Sequence, residues 1–399
     1  MKRIFLLIIS MSLLLVGCTQ IKETPQAQSF EQKAVKSVWV SYFELEKYTS
    51  SCSSENEFRK NIASVIKEVK AIGLNTLTVQ VHPCADAFYK SELFPTSEYC
   101  FGEQGSELIY DPLQIIIEEA HNQSVSVEAW FNPYRVSQDD DIESLCDGNI
   151  AKQWYNSEDN ASNVYVSDKI YFNPASEEVI NLIVNGIKEI VQNYDVDGIH
   201  FDDYFYPTTD ESIDENEFRS YIETVEEPLS LDDWRRDNVS RLIKSVYNAI
   251  KAINPEIKFG ISPQSKVSVN YNNLYADVEK WASEEGYCDY ICPQIYFGFY
   301  NETQPFTRTA KEWNDRATAV ALYIGLPLYK AGCVDEYASA DQDYARNEFV
   351  ENNNIISRQI SYINQLSNVK GYYIYSLSYL LDTDNEALNN EVKGINELN

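Results

Sequence analysis

Short runs of apolar and β-branched residues recur along the chain, each followed by a stretch in which apolar residues return at spacings of three and four. The β-rich runs are Ser37 to Phe43, Thr76 to His82, Val125 to Asn132, Gly198 to Asp203, Phe259 to Gln264, Tyr290 to Tyr296, Ala321 to Leu326 and Gly371 to Ser378. The helical stretches include Glu57 to Ile72, Pro112 to Asn122, Ser176 to Tyr194, Trp234 to Asn254 and Asn352 to Leu366. Eight alternations of strand and helix predict an α/β fold, a (β/α)8 TIM barrel formed as a single domain by residues 34–399. A doubly wound open sheet competes with it, but no Gly-rich phosphate loop follows the first strand. No cofactor is expected.

A barrel gathers its inward polar residues at the C-terminal ends of the strands. The second strand offers Gln80 and His82 in one register, the third Trp130 and Asn132, the fifth Ser262 and Gln264, and the sixth Gln294 and Tyr296. Intervening positions such as Val79, Val81, Phe131, Ile261 and Ile295 are apolar. Long loops follow strands 3 and 4, the first starting at Pro133-Tyr134-Arg135 and the second running from Pro207 to about Leu231. Insertions of that length are more often functional than idle, and both would wall a groove at the same mouth.

The fourth strand carries the densest chemistry, Asp197-Gly-Ile-His-Phe-Asp-Asp-Tyr-Phe-Tyr-Pro207. Alternation sends His200, Asp202 and Tyr204 to one face and Ile199, Phe201 and Asp203 to the other. Asp202 is the leading candidate for a catalytic carboxylate, with an ion pair to Arg135 as its plain structural alternative. Asp203 points toward the helix layer unless the strand bulges. Glycosidic hydrolysis generally needs two carboxyl groups, so Asp202 requires a partner: Asp86, Glu44, or a re-aimed Asp203. Glu128 shares the inward register but lies deeper, as a buried barrel-layer group. His82 and His200 with a carboxylate could bind zinc, yet the usual close ligand spacing is missing and hydrogen bonding to sugar hydroxyls is favoured. The chain has 29 tyrosines. Tyr134, Tyr204, Phe205, Tyr206, Tyr296, Phe297 and Tyr300 fall on mouth segments, where aromatic faces suit pyranose rings and where packing is the alternative use.

The first residues belong to another function. Lys2 and Arg3 precede an apolar run from Ile4 to Val16 that ends in Leu15-Val16-Gly17-Cys18, the pattern of an export signal over residues 1–17. The run is shorter than the roughly 20 apolar residues that span a bilayer. Similarity to bacterial lipoprotein signals implies cleavage before Cys18 and its lipidation, with residues 18–33 as a tether. The expected location is the cell membrane or envelope, outside the cytoplasm. Acidic side chains number 62 against 32 basic ones, a net charge of −30 that makes nucleic acid a poor partner and a neutral or locally neutralised substrate a good one. Seven cysteines remain beyond Cys18, an odd number that cannot all pair. Cys84 with Cys100 is the weak disulfide candidate, and Cys288 and Cys292 read as core rather than metal ligands.

Six segments in order carry a family resemblance: Val79-Gln-Val-His-Pro-Cys-Ala-Asp-Ala-Phe-Tyr89, Tyr110-Asp-Pro-Leu113, Ala129-Trp-Phe-Asn-Pro-Tyr-Arg135, Val196 to Pro207, Phe259-Gly-Ile-Ser-Pro263 and Pro293-Gln-Ile-Tyr296. Together they resemble the glycosyl-hydrolase-like family related to family 10. The resemblance implies a TIM barrel, export as a lipoprotein and action on bacterial glycans, one similar group digesting peptidoglycan strands stripped of peptides. The fourth-strand segment is also similar to that of chitinase-type barrels, but Tyr204 stands where their terminal acid would be. The expectation is a lipid-anchored glycoside hydrolase with Asp202, and Asp203 or Asp86, as catalytic candidates. His82, Asn132, Tyr134, Arg135, His200, Tyr204, Gln294 and Tyr296 would bind a poly- or oligosaccharide. A noncatalytic glycan-binding lipoprotein and a metal-dependent hydrolase or deacetylase are the rival readings.

Overall fold

The computed structural model describes residues 34–398. The export signal, Cys18 and the tether lie outside the described residues. Eight parallel strands close a barrel: β1 Val35–Val40, β2 Thr76–His82, β3 Ser126–Phe131, β4 Gly198–Phe201, β5 Lys258–Ile261, β6 Tyr290–Ile291, β7 Ala321–Leu326 and β8 Val369–Ile374. Each strand pairs with its neighbours in sequence and β1 pairs with β8, so the sheet has no free edge. The predicted topology is the one observed. Several strands stop short of their predicted C-terminal ends, because the chain turns at Ser41, Asp202, Ser262 and Cys292 to build the mouth.

One main helix follows each strand on the outside: α1 Glu55–Ala71, α2 Pro112–Asn122, α3 Glu177–Asn193, α4 Leu231–Ile253, α5 Val278–Ser283, α6 Phe306–Arg316, α7 Ile355–Ile363 and α8 Glu386–Leu398. Their starts follow the capping rules: Ser54, Asp111, Ser176 and Ser230 accept a hydrogen bond from the backbone N–H three residues on. Helix α3 shows why the periodicity works, burying Val179, Ile180, Ile183, Ile187, Ile190 and Val191 along one stripe.

Two cores result. Between strands and helices the packing is mainly aliphatic with interspersed aromatic rings, whereas inside the barrel Trp39, Trp130, Tyr290, Cys292, Tyr323 and Tyr373 form a separate, largely aromatic cluster. The excursion after β3 is more ordered than its Asp- and Ser-rich sequence predicts. It folds into a small antiparallel sheet of Arg135–Ser137, Val164–Val166 and Ile170–Phe172. The excursion after β4 is pinned by a buried ion pair, Arg235 Nη2 to Asp214 Oδ1 at 2.6 Å, with Arg235 lying over the Tyr206 and Tyr275 rings. All seven cysteines among the described residues are free, so Cys84 and Cys100 are both buried thiols.

Candidate active site

The mouth of the barrel opens into a cleft of about 320 Å3. Its lining includes Trp39, Gln80, Trp130, Arg135, Asp202, Asp203, Tyr204, Ser262, Gln294, Tyr296, Tyr329 and Tyr375. Both adjacent carboxylates of the fourth-strand segment therefore face the same cleft. Strand β4 ends at Phe201 and the backbone bends at Asp203, so the alternation that sends Asp203 outward no longer operates there. The outward orientation predicted for Asp203 is corrected by the early end of the strand.

Asp202 is buried and held by three donors. Trp130 Nε1 and Asn132 Nδ2 each donate to Oδ2 at 3.0 Å, and the Tyr204 N–H donates to Oδ1 at 3.2 Å. Burial, with the neighbouring Asp203 charge next, pushes its carboxyl up to about 7 despite Arg135 and these donors. Asp203 accepts from Gln294 Nε2 at 3.0 Å, and burial raises its carboxyl as well. Gln294 is itself braced, donating also to the Ser262 carbonyl at 2.9 Å. Two adjacent carboxyls facing one cleft disfavour double ionisation, and burial raises both.

Arg135 lines the same cleft without pairing to Asp202. Its Nε donates to the Pro83 carbonyl at 2.9 Å, and its guanidinium lies over the rings of Tyr42 and Tyr204, with no salt bridge among the described residues. The outer face of this stack is open, Tyr204 being 53% exposed. The Tyr375–Ser376 peptide beside the cleft is cis.

His200 is not a sugar-facing group. It is fully buried beneath the cleft, where Trp39 Nε1 donates to Nε2 at 3.1 Å, Ser262 Oγ lies 3.0 Å from the same nitrogen and Tyr290 Oη lies 2.9 Å from Nδ1. Trp39 can only donate, which makes Nε2 the acceptor and places the proton on Nδ1. Burial lowers His200 to about 3, so the ring is neutral. Tyr290 passes the chain on to Glu128 Oε2 at 2.9 Å, a carboxyl that also accepts from Thr78 Oγ1 and Tyr373 Oη and that burial raises to about 7. Glu128 sits in the deep barrel layer.

Five other expectations change for identifiable reasons. His82 shares Gln80's register by alternation, but a bulge intervenes: Gln80 pairs with Trp130 and His82 with Phe131. The ring is thereby turned out of the barrel onto Phe131, centroids 3.7 Å apart, next to Phe94. Asp86 is buried outside the cleft lining, accepting from Gln104 Nε2 at 3.3 Å. Glu44 is a structural clasp, accepting from Ser41 N and Oγ on one oxygen and from Ser376 Oγ and Ser378 N, each at 2.6 Å, on the other. Tyr134 packs in the core and Asn132 touches Asp202 rather than lining the cleft. With His200 and His82 apart and outside the cleft, they do not form a ligand pair; among the described residues no cluster of three His, Cys, Asp or Glu side chains could hold a metal.

Trp39, Tyr329 and Tyr375 were absent from the sequence-based set. Two of them carried a usable signal: Trp39 has the parity of the inward Ser37, and Tyr375 that of the inward Tyr373.

Comparison with known proteins agrees with this geometry. A family profile described as glycosyl hydrolase-like 10 matches residues 34–346. A Bacillus subtilis (strain 168) protein named glycosyl hydrolase YngK is 33% identical over 392 residues, covering 92% of this chain and 72% of its own. An Escherichia coli (strain K12) protein named glycosyl hydrolase DigH is 32% identical over 342 residues, covering 79% and 74%. Among solved structures, an endo-1,4-beta-mannanase from Rhizomucor miehei shares the fold with a TM-score of 0.55 at 10% identity, covering 92% of this chain and 94% of its own.

Proposed function

Because the chain belongs to the glycosyl hydrolase-like 10 family, we propose that it hydrolyses O-glycosidic bonds of a bacterial glycan in the cleft at the barrel mouth. The observation that carries this reading is the adjacent pair Asp202 and Asp203 facing one aromatic-lined cleft. Asp202, raised to about 7 and fixed by Trp130, Asn132 and the Tyr204 N–H, is suited to donate a proton to the leaving oxygen at neutral pH. Asp203, positioned by Gln294, carries the negative charge that balances the oxocarbenium-like transition state. Trp39 and Tyr296 add aromatic surface to the cleft lining that the sugar would meet.

Arg135 supports an acidic substituent on the glycan. Among the described residues it makes no salt bridge, and its guanidinium lies over the rings of Tyr42 and Tyr204, so a substrate carboxylate such as a lactyl group would find a preorganised cation. Peptidoglycan strands lacking peptides have that chemistry, and lipid attachment at Cys18 would hold the enzyme at the envelope. Reducing-end release from denuded peptidoglycan strands by the parent enzyme, lost in Asp202→Asn, is the test. A protein that binds the strands without releasing ends is a glycan-binding barrel instead.

A further inference from the structure

The cleft has two unlike arms. Arg135 follows β3 and Tyr329 follows β7, four strands apart, which in an eight-stranded barrel puts them on opposite sides of the mouth. The Arg135 side is cationic. On the other side the rings of Trp39 and Tyr375 stand 6.2 Å apart, Tyr375 and Tyr296 6.0 Å, Tyr375 and Tyr329 6.0 Å, and Tyr329 and Tyr379 6.1 Å. Tyr379 lies beyond the cleft lining and is 37% exposed, so the row of rings runs from beside the acid pair out to solvent.

This row is braced rather than loosely draped. The Tyr329 N–H donates to the Tyr375 carbonyl at 3.3 Å, and the Tyr375 N–H to the Leu326 carbonyl at 3.0 Å. Glu44 fixes Ser376 and Ser378 on the segment that carries Tyr379. Within the cleft lining the charged residues are Arg135, Asp202 and Asp203, so the part of the tyrosine arm inside the cleft carries none; farther out, Lys47 Nζ donates to Ser378 Oγ at 3.3 Å.

We infer that the Tyr375–Tyr329–Tyr379 arm is an extended binding surface for uncharged sugar units, so that the protein holds a chain of several residues across the mouth. This rests on the glycosidase reading of the same cleft. The rings meet edge-on or tilted, Tyr329 at 85° to Tyr375 and at 50° to Tyr379, so they form a continuous aromatic wall that neutral sugar units can pack along, and its length suits a chain better than a single terminal unit.

The test uses β-1,4-linked N-acetylglucosamine oligomers, from the dimer to the hexamer, as the probe. Calorimetric affinity for the full-length Asp202→Asn protein should rise with oligomer length. Adding Tyr379→Ala or Tyr329→Ala should weaken hexamer binding about three- to tenfold and dimer binding less. Should Asp202→Asn fail to fold, kcat/KM of the parent and of Tyr379→Ala is compared across oligomer lengths, and the ratio should diverge as the chain grows. Affinity or kcat/KM independent of length, or losses equal at every length, overturn the inference. Length-dependent binding without any cleavage of glycans by the parent leaves the arm intact and removes the hydrolase reading.

Discussion

Trp39 gives its indole N–H to His200 Nε2 at 3.1 Å, joining the first strand of the barrel to the fourth directly beneath the acid pair. The histidine works as a neutral linker: it receives at one nitrogen, donates from the other to Tyr290, and through Tyr290 reaches Glu128.

A ring that stays neutral down to about 3 in the fold, but protonates near 6.5 once unfolded, leaves stability complete above that range and lost as the pH falls through it. At pH 5 the loss is about 2 kcal/mol. His200→Gln keeps an acceptor for Trp39 and does not titrate. Denaturant unfolding at pH 7 and pH 5 should show the parent losing about that much more than the variant; identical losses would refute the buried neutral ring.

Asp202→Asn should lower kcat about 10²- to 10⁴-fold, the usual worth of a general acid, with the far-ultraviolet spectrum unchanged. In the parent, activity should decline above pH 7 as Asp202 ionises. Asp203→Asn removes the neighbouring negative charge that helps keep Asp202 protonated, so whatever activity survives should lose its alkaline limb at lower pH. A limb that moves the other way contradicts the coupling of the two carboxyls.

Gly260 lies against the Tyr290 ring, where an added Cβ would stand 1.8 Å from Cζ. Gly260→Ala must displace the ring that ties His200 to Glu128, and overpacking of this kind costs about 1–3 kcal/mol or more. Thermal unfolding should register the loss, and kcat should fall with it because the cleft floor moves. A variant as stable and active as the parent would mean that the Tyr290 link is dispensable.

His82→Leu tests the bulge in β2. The ring stacks on Phe131 outside the barrel and has an unpartnered Nδ1, so an apolar replacement should keep glycan cleavage within about threefold and change stability by less than about 1.5 kcal/mol. A hundredfold drop in kcat would put His82 back among the substrate contacts.

The barrel was legible because its strands and helices each satisfy one repeating rule, and the mouth is hard to read because those rules stop there. Asp202 could be placed because parity still holds one residue past the end of β4, and Glu128 from parity within β3. Asp203 could not, since it lies two residues past the last paired one, and His82 was misplaced by a single inserted residue that no local composition marks. Asp86 looked available because it follows a strand end, yet the segment carrying it folds inward, where the Ala87 N–H bonds to the Pro95 carbonyl. Tyr329 sits on a short 3-10 turn, Leu328–Lys330, outside any strand or helix period.

The Glu44 clasp has a consequence for how the protein is made. Its partners Ser376 and Ser378 lie some 330 residues downstream, and Trp39 likewise meets Tyr375 only when the last strand has docked. A nascent chain can hold both acids long before it holds a place to use them. Competence at the mouth arrives with the final strand, so a chain released early, or clipped before residue 375, would keep its carboxylates and have no working cleft.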